Sequence, residues 1–212
     1  MVHSDSVTSS SVSLDELLAD PPRLHTDAGG QPISWGLPVD VLRFLHDESS
    51  DLSRTLETGA GLSTIIFAMR RTQHTCVVPD QVQVERITEY CRTNAIPVDR
   101  VTFHVAPSEI VLPRLDRGDL DLVLIDGRHA FPTPFLDWYY AAGLMKIGGL
   151  VVVDDTQLWT GQVLRQFLSV EPDWGLEREF TKTVVFRKLR EGGHAKEWTD
   201  QPFMASGDRN SL

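Results

Sequence analysis

The sequence has 212 residues, of which 41% are hydrophobic and 24% are charged, and its formal net charge is −10. These values are typical of a soluble globular chain that buries one core, and the negative charge makes nucleic acids and anionic membranes poor partners. No stretch approaches the roughly 18 uninterrupted apolar residues of a membrane-spanning helix, and the start lacks the regions of a signal peptide, so we expect a cytoplasmic protein.

The N-terminal quarter predicts a cap of helices and loops rather than part of a sheet. Residues 1–12 are expected to be flexible, and Ser13-Leu14-Asp15-Glu16 has the pattern of a capping box that opens a short helix. Residues 21–36 are rich in Pro and Gly without periodicity, which predicts a loop. Pro38 can then begin a helix that ends at His46.

Short apolar runs alternate with segments of helical spacing from residue 55 onward. Strands joined by helices imply right-handed crossovers and a parallel sheet. The runs at 122–125 and 150–153 are apolar without alternation, as expected for strands covered on both faces. The predicted strands are 55–56, 75–78, 101–105, 120–125 and 150–153, and the predicted helices are 62–71, 81–94, 109–115 and 135–145.

The alternation of predicted strands and helices ends near the C-terminus. After a helix near 162–168, two candidate strands at 174–180 and 183–189 are separated only by Thr181 and Lys182. Two residues are too few for a crossover, so the strands must pair as an antiparallel hairpin. The fold class is therefore α/β, a doubly wound, mostly parallel, seven-stranded Rossmann-like sheet with a C-terminal antiparallel hairpin. We predict one domain over 13–191, with 13–50 as its N-terminal cap and 192–212 as a polar tail.

The first candidate site is the turn Glu57-Thr58-Gly59-Ala60-Gly61, which follows a strand and opens a helix. Gly59 and Gly61 allow a tight bend and a close approach of backbone to ligand. A dinucleotide fingerprint has a third glycine where Thr64 stands, and the acidic Glu57 favours a cationic ligand such as S-adenosylmethionine over a pyrophosphate. The alternative is an ordinary strand-to-helix turn. The predicted cofactor-binding residues here are Glu57, Gly59, Ala60, Gly61 and Ser63.

Two further positions would complete a nucleoside site. Asp80 ends the second strand about 20 residues after the glycines, where doubly wound folds place the acid that binds ribose. The alternative is that Asp80 caps the helix that begins at Gln81. Ser108 could border the adenine, with a helix N-cap as its alternative.

Three carboxylates are predicted to meet at the carboxyl ends of the fourth and fifth strands. Asp126 follows one strand, and Asp154 and Asp155 follow the other. Such acids repel one another unless a positive charge lies between them, and a divalent cation such as Mg²⁺ would serve. Asp126, Asp154 and Asp155 are therefore candidate metal ligands. Asp154 or Asp155 could instead cap the following segment, and Asp137 is expected to face solvent or cap its helix.

These motifs together resemble a known family. The glycine turn resembles motif I of class I S-adenosylmethionine-dependent methyltransferases. Asp126-Gly127-Arg128-His129, with Gly148-Gly149 and Asp154-Asp155, resembles the small-molecule O-methyltransferase branch that includes macrocin- and aminocoumarin-type enzymes. The resemblance spans residues 55–155. It implies that Glu57 and Asp80 hold the cofactor, and that Asp126, Asp154 and Asp155 hold magnesium and orient an acceptor hydroxyl.

The predicted reaction is transfer of a methyl group to a small-molecule hydroxyl, with Asp126 or His129 as the proton acceptor. His129 could instead only hydrogen-bond its loop. A non-catalytic methyltransferase-like domain and a nucleotide-dependent oxidoreductase are the alternative functions. We expect a small-molecule partner and a homodimer. Four aromatic residues could wall the acceptor pocket or belong to the core: Trp35, Trp138, Tyr139 and Trp159.

Overall fold

Strands and helices alternate along the computed structural model, which describes residues 12–26, 29, 31–33, 36–116, 118–192 and 194–202. The helices are α1 (Leu14–Ala19), α2 (Val39–Asp47), α3 (Leu62–Met69), α4 (Gln81–Thr93), α5 (Ser108–Val111), α6 (Thr133–Leu144) and α7 (Trp159–Val170). The strands are β1 (His25–Thr26), β2 (Pro32–Ile33), β3 (Arg54–Thr58), β4 (Gln73–Val77), β5 (Val101–His104), β6 (Leu120–Ile125), β7 (Met145–Val153), β8 (Trp174–Glu179) and β9 (Val184–Lys188).

Seven of these strands form one sheet in the order β5-β4-β3-β6-β7-β9-β8. The first five pair in parallel, whereas β9 is antiparallel to both β7 and β8. The predicted fold class is confirmed, including the C-terminal hairpin. The strand order reverses between β3 and β6, and open α/β sheets bind ligands beyond the carboxyl ends of the strands at such a point.

Helices cover both faces of this sheet, which explains the apolar runs without alternation. Leu122 and Leu124 of β6 pack into one core cluster with the helices α1 to α4. Val123 and Ile125 of the same strand pack into a second cluster with α5, α6 and α7. Successive side chains of a strand point to opposite faces, so both sets must be apolar.

The N-terminal segment differs from the prediction in one respect. The capping box at Ser13 is confirmed, since the Ser13 side chain accepts from the Glu16 N–H and Glu16 accepts from the Ser13 N–H. The expectation that 21–36 is a continuous loop is wrong, because β1 and β2 pair antiparallel within it. Residues 1–11 of the predicted flexible start, residues 193 and 203–212 of the predicted tail, and Trp35 lie outside the described residues. None of the described helices has both the length and the apolarity needed to cross a membrane.

Candidate functional site

A cavity of about 690 Å³ opens at the carboxyl ends of β3, β4, β6 and β7. Its volume lies within the range of small-molecule sites, which is about 300 to 1,000 Å³. The N-terminal cap contributes His25, Leu37 and Leu42 to its wall. All the sequence-predicted site residues except Glu57 line the cavity, namely Gly59, Ala60, Gly61, Ser63, Asp80, Ser108, Asp126, His129, Asp154 and Asp155.

The glycine turn packs directly against the loop that follows β6. Gly59 has φ +88°, and a Cβ at this position would lie 2.2 Å from the Asp126 carbonyl oxygen. A Cβ on Gly127 would lie 3.3 Å from the Gly59 nitrogen. Only glycine tolerates both the backbone conformation and the close approach at position 59. The turn and the Asp126 loop therefore form one continuous floor of the cavity.

Glu57 lies behind this floor rather than in the cavity wall. Its side chain is buried and accepts hydrogen bonds from Ser63 Oγ at 2.6 Å and from Thr64 Oγ1. His74 Nε2 lies 3.0 Å from Glu57 Oε1, and His74 Nδ1 in turn lies 2.8 Å from Thr55 Oγ1. The Glu57 carboxylate thus links the first turn of α3 to β3 and β4. These contacts stabilise the glycine turn, which the cofactor would contact.

Asp80 and Ser108 line the cavity on its other side. Asp80 is the N-cap of α4, and its Oδ1 accepts from the backbone N–H of Val82 at 2.9 Å and of Gln83 at 3.3 Å. Both bonds use the same oxygen, so Asp80 can cap the helix and still present Oδ2 to a ligand. Ser108 is not an N-cap, because Pro107 holds that position in α5. The residue nevertheless lines the cavity.

Asp137 is buried, not exposed or capping as the sequence predicts. It lies within α6 at 1% exposure, and neither of its carboxylate oxygens has a hydrogen-bond partner among the described residues. Burial raises the pKa of Asp137 from its ordinary 3.8 to about 6, although the nearby hydroxyls of Ser108 and Thr58 oppose the shift. The Thr58 hydroxyl also lacks a partner among those residues. The buried carboxyl group of Asp137 thus lies next to Ser108 and Thr58, two residues of the cavity wall.

The predicted acidic cluster forms, and it includes a lysine. Lys182 Nζ lies 3.0 Å from Asp154 Oδ2 and 2.9 Å from Asp155 Oδ1. Burial raises the pKa of Asp126 well above its usual range, and the charges of Asp154 and Asp155 raise it further. The Lys182 ammonium acts in the opposite direction. The positive charge that the three carboxylates require is therefore supplied, at least in part, by the chain itself.

His129 pairs with the same acidic cluster. Its Nε2 lies 3.0 Å from Asp155 Oδ2, and its carbonyl oxygen accepts a hydrogen bond from Thr160 Oγ1 at 2.5 Å. Burial raises the pKa of Asp155, but hydrogen bonds from Gln157 and Lys182 and the nearby His129 outweigh it, so the net shift is downward. The Asp155 carboxylate is thus ionised at neutral pH and holds the imidazole in a fixed orientation.

The three predicted magnesium ligands, Asp126, Asp154 and Asp155, are not arranged as one metal site. Ligand atoms of Asp126, His129 and Asp155 come within 4.8 Å of one another, but Asp154 is not in this group. Both Asp154 oxygens are engaged, Oδ2 by Lys182 and Oδ1 by the Thr183 hydroxyl. Neither acid caps α7 with its side chain, because Leu158 is the N-cap and makes no side-chain capping bond.

A match to a known protein family covers this arrangement. Residues 56–156, from β3 through Asp154 and Asp155, match the family described as a methyltransferase domain. Over these residues the chain resembles class I S-adenosylmethionine-dependent methyltransferases, as the sequence motifs predict. No curated protein sequence matches the chain. The family match covers both the glycine turn and the acidic cluster, so the methyltransferase domain contains the main features of the site.

Solved structures of low sequence identity share the methyltransferase fold. Cofactor-bound Rv0187 from MTB has a TM-score of 0.63 at 20% identity, over 74% of this chain and 83% of that one. The O-methyltransferase TomG from Streptomyces achromogenes, solved with SAM, has a TM-score of 0.59 at 19% identity, over 73% and 82%. An rRNA methylase from Streptococcus thermophilus has a TM-score of 0.57 at 12% identity, over 74% and 100%. The same fold is thus found both in a protein described as an O-methyltransferase and in one described as an rRNA methylase.

The sequence analysis does not predict three side chains of the candidate site. Lys182 was assigned only to a hairpin turn. His25 and Gln83 also line the cavity, and Gln83 Nε2 lies 3.1 Å from His25 Nδ1 and donates to the Ala60 carbonyl at 2.6 Å. The position of Gln83 three residues after the N-cap Asp80 was the available signal, because the first turn of that helix faces the same crevice.

Proposed function

We propose that this methyltransferase domain binds S-adenosylmethionine and catalyses methylation of a hydroxyl group on a small molecule. His129 is the general base and Asp155 orients it. The observation that supports the proposal best is the 3.0 Å contact between these two side chains on the wall of the cavity that also contains the glycine turn and Asp80. A base held by an anionic partner, facing a nucleoside-sized cavity, is suited to proton removal during group transfer.

The cavity offers a suitable group for each part of the methyl donor. The backbone of the turn from Gly59 to Gly61 can lie against the methionine portion without a Cβ in the way. Asp80 Oδ2 is available to the ribose hydroxyls, and Ser108 borders the position proposed for adenine. When bound, S-adenosylmethionine supplies a methyl group that its sulfonium has already activated.

The protein's contribution is then mainly orientation and removal of one proton. With Nε2 of His129 donating to Asp155, the other ring nitrogen, Nδ1, is the one that accepts the acceptor's hydroxyl proton. The resulting imidazolium is stabilised by the Asp155 carboxylate. Asp126 shares the cavity and is the alternative base, and burial and the charges of Asp154 and Asp155 raise its pKa.

A small acceptor fits the charge of this chain better than RNA does. The formal net charge is −10, and five acidic residues line the cavity, namely Asp80, Glu109, Asp126, Asp154 and Asp155. RNA binding depends on neutralising backbone phosphates with lysine and arginine, which an acidic surface opposes. A neutral or cationic molecule that fits within the cavity is therefore the acceptor class that we propose.

Calorimetric titration with S-adenosylhomocysteine tests the cofactor assignment. We expect saturable heat at one site per chain and no heat with a nicotinamide dinucleotide. Incubation of the protein with methyl-labelled S-adenosylmethionine and a fractionated metabolite extract then tests catalysis, with the His129→Gln variant as control. Binding without any labelled product would favour a non-catalytic domain, and absence of binding would contradict the proposal.

A further inference from the structure

We propose that the Lys182 ammonium takes the place of the divalent cation in this site, so that methyl transfer proceeds without a metal. Lys182 partly neutralises Asp154 and Asp155 and keeps an N–H for the acceptor oxygen. The inference rests on the function proposed above. The hydrogen bonds that the Asp154 and Asp155 oxygens make conflict with the predicted role of these residues as magnesium ligands.

The sheet register explains why a lysine reaches the acids. β9 is antiparallel to β7, and Val184 of β9 lies opposite Val153, the last residue of β7. Continuing that register beyond both strands brings Thr183 and Lys182 alongside Asp154 and Asp155. The Thr156 N–H donates to the Lys182 carbonyl at 2.9 Å, which fixes the hairpin turn to the acidic loop. Lys182 is thus placed by backbone pairing and not by a flexible loop.

Every carboxylate oxygen of the acidic pair already has a partner. Asp154 Oδ1 accepts from Thr183 Oγ1, and Asp154 Oδ2 lies 3.0 Å from Lys182 Nζ. Asp155 Oδ1 accepts from Lys182 at 2.9 Å and from Gln157 Nε2 at 2.8 Å, and Asp155 Oδ2 lies 3.0 Å from His129. Magnesium requires close oxygen ligands at about 2.0–2.1 Å in octahedral geometry. To bind both acids it would have to displace Lys182 or Thr183 from Asp154, and Lys182 or His129 from Asp155.

The position of Lys182 also suits a role toward the acceptor. The side chain is 28% exposed and lines the cavity beside Asp126 and His129. An ammonium has three N–H donors, and two are directed to the carboxylates. The third can donate to the acceptor oxygen as it loses its proton, which is the electrostatic part of what a metal would do.

Binding of Mn²⁺ tests the proposal without relying on turnover. With S-adenosylhomocysteine bound, we expect the wild-type protein to leave the electron paramagnetic resonance signal of free Mn²⁺ unchanged. The Lys182→Ala variant vacates the space between the acids and should bind one Mn²⁺ per chain. Adding Asp155→Asn to that variant removes a ligand and should weaken the binding about 10-fold or more. Lys182→Arg keeps the charge and should exclude the metal.

Lys196→Ala provides the matched control. Lys196 also bridges two acids, with Nζ 2.6 Å from Glu171 and 2.5 Å from Asp173, but it lies outside the cavity wall. The proposal is overturned if wild-type protein binds Mn²⁺ stoichiometrically, or if Lys182→Ala binds it no better than Lys196→Ala. Wild-type activity should survive a chelator, and Lys182→Ala should lose activity that added Mg²⁺ partly restores. The titration with S-adenosylhomocysteine alone shows separately whether the cofactor assignment fails.

Discussion

His129 Nε2 lies 3.0 Å from Asp155 Oδ2, and Asp155 itself has a left-handed backbone with φ +52°. That conformation is uncommon for a residue other than glycine and is found mostly where the surrounding structure fixes it. Here the Leu158 N–H donates to the Asp155 carbonyl at 2.9 Å, and Lys182 and Gln157 hold the side chain. The orientation of the imidazole therefore depends on a tightly constrained carboxylate.

We expect Asp155→Asn to lower kcat by about 10²-fold or more, because the amide cannot stabilise the imidazolium that forms when the proton is removed. Affinity for S-adenosylhomocysteine should change little, since Asp155 acts on the acceptor side. Steady-state kinetics and calorimetry measure the two effects. The control is Asp99→Asn, which removes an exposed carboxylate paired with Arg71 and should leave kcat unchanged. An unaltered kcat in Asp155→Asn would refute the dyad.

Substitutions of Asp80 separate its two roles. Asparagine retains the capping oxygen for Val82 and Gln83, so Asp80→Asn should keep its thermal stability while losing about 10-fold or more in cofactor affinity. Asp80→Ala loses the cap as well and should be destabilised by about 1 kcal/mol. Calorimetry and thermal unfolding distinguish the variants. Equal affinity of Asp80→Asn and wild type would show that the residue is only a cap.

Gly59→Ala should abolish cofactor binding and destabilise the fold by about 2 kcal/mol or more, because a Cβ would lie 2.2 Å from the Asp126 carbonyl oxygen at a φ of +88°. The matched control is Gly118→Ala, whose Cβ would lie in ordinary contact 3.7 Å from the Leu144 carbonyl oxygen. Chemical denaturation followed by titration with S-adenosylhomocysteine measures both effects. Similar behaviour of the two variants would contradict the tight packing of the turn.

Asp137→Asn should become more stable relative to wild type as the pH rises. In the wild type, the folded pKa of about 6 exceeds the ordinary 3.8, so the folded chain keeps a proton that the unfolded chain has released. Wild-type stability therefore falls between about pH 4 and pH 6, whereas asparagine does not titrate. A difference of about two pH units corresponds to about 3 kcal/mol, which is the upper limit of the gain at pH 7.

Urea unfolding of both proteins at pH 4, 5, 6 and 7.5 measures this gain. A stability difference that does not vary with pH would show that Asp137 has an ordinary pKa in the folded chain. The affinity for S-adenosylhomocysteine should be followed in parallel, because Ser108 and Thr58, which lie next to the carboxyl group, both line the cavity.

The sequence predicted the fold well because the relevant signals are local and periodic. Apolar runs covered on both faces marked the parallel strands, and the two-residue gap at Thr181 and Lys182 required a hairpin. Most of the cavity wall could also be predicted, since residues that follow parallel strands converge at one edge of the sheet. Gly59, Asp80, Asp126 and Asp154 all follow that rule.

The contacts that decide the chemistry could not be predicted in the same way. Lys182 meets Asp154 across 28 residues of sequence, and the exact hairpin register that joins them is set by tertiary packing. The prediction for Asp137 is wrong because helical spacing alone does not show whether a carboxylate of α6 faces solvent or the core. Glu57 lies in the predicted turn, but only the structure shows that its buried carboxylate is hydrogen-bonded to Ser63, Thr64 and His74.

The antiparallel pairing of β9 with β7 has a consequence for the order in which the site is completed. The glycine turn, Asp80 and the acids are all encoded before residue 156, whereas the lysine that neutralises the acids arrives with the last strand of the sheet. A chain that has emerged from the ribosome only as far as α7 would possess the nucleoside cradle but would leave Asp154 and Asp155 uncompensated. The acidic pair therefore gains its ammonium partner only when the C-terminal hairpin has joined the sheet.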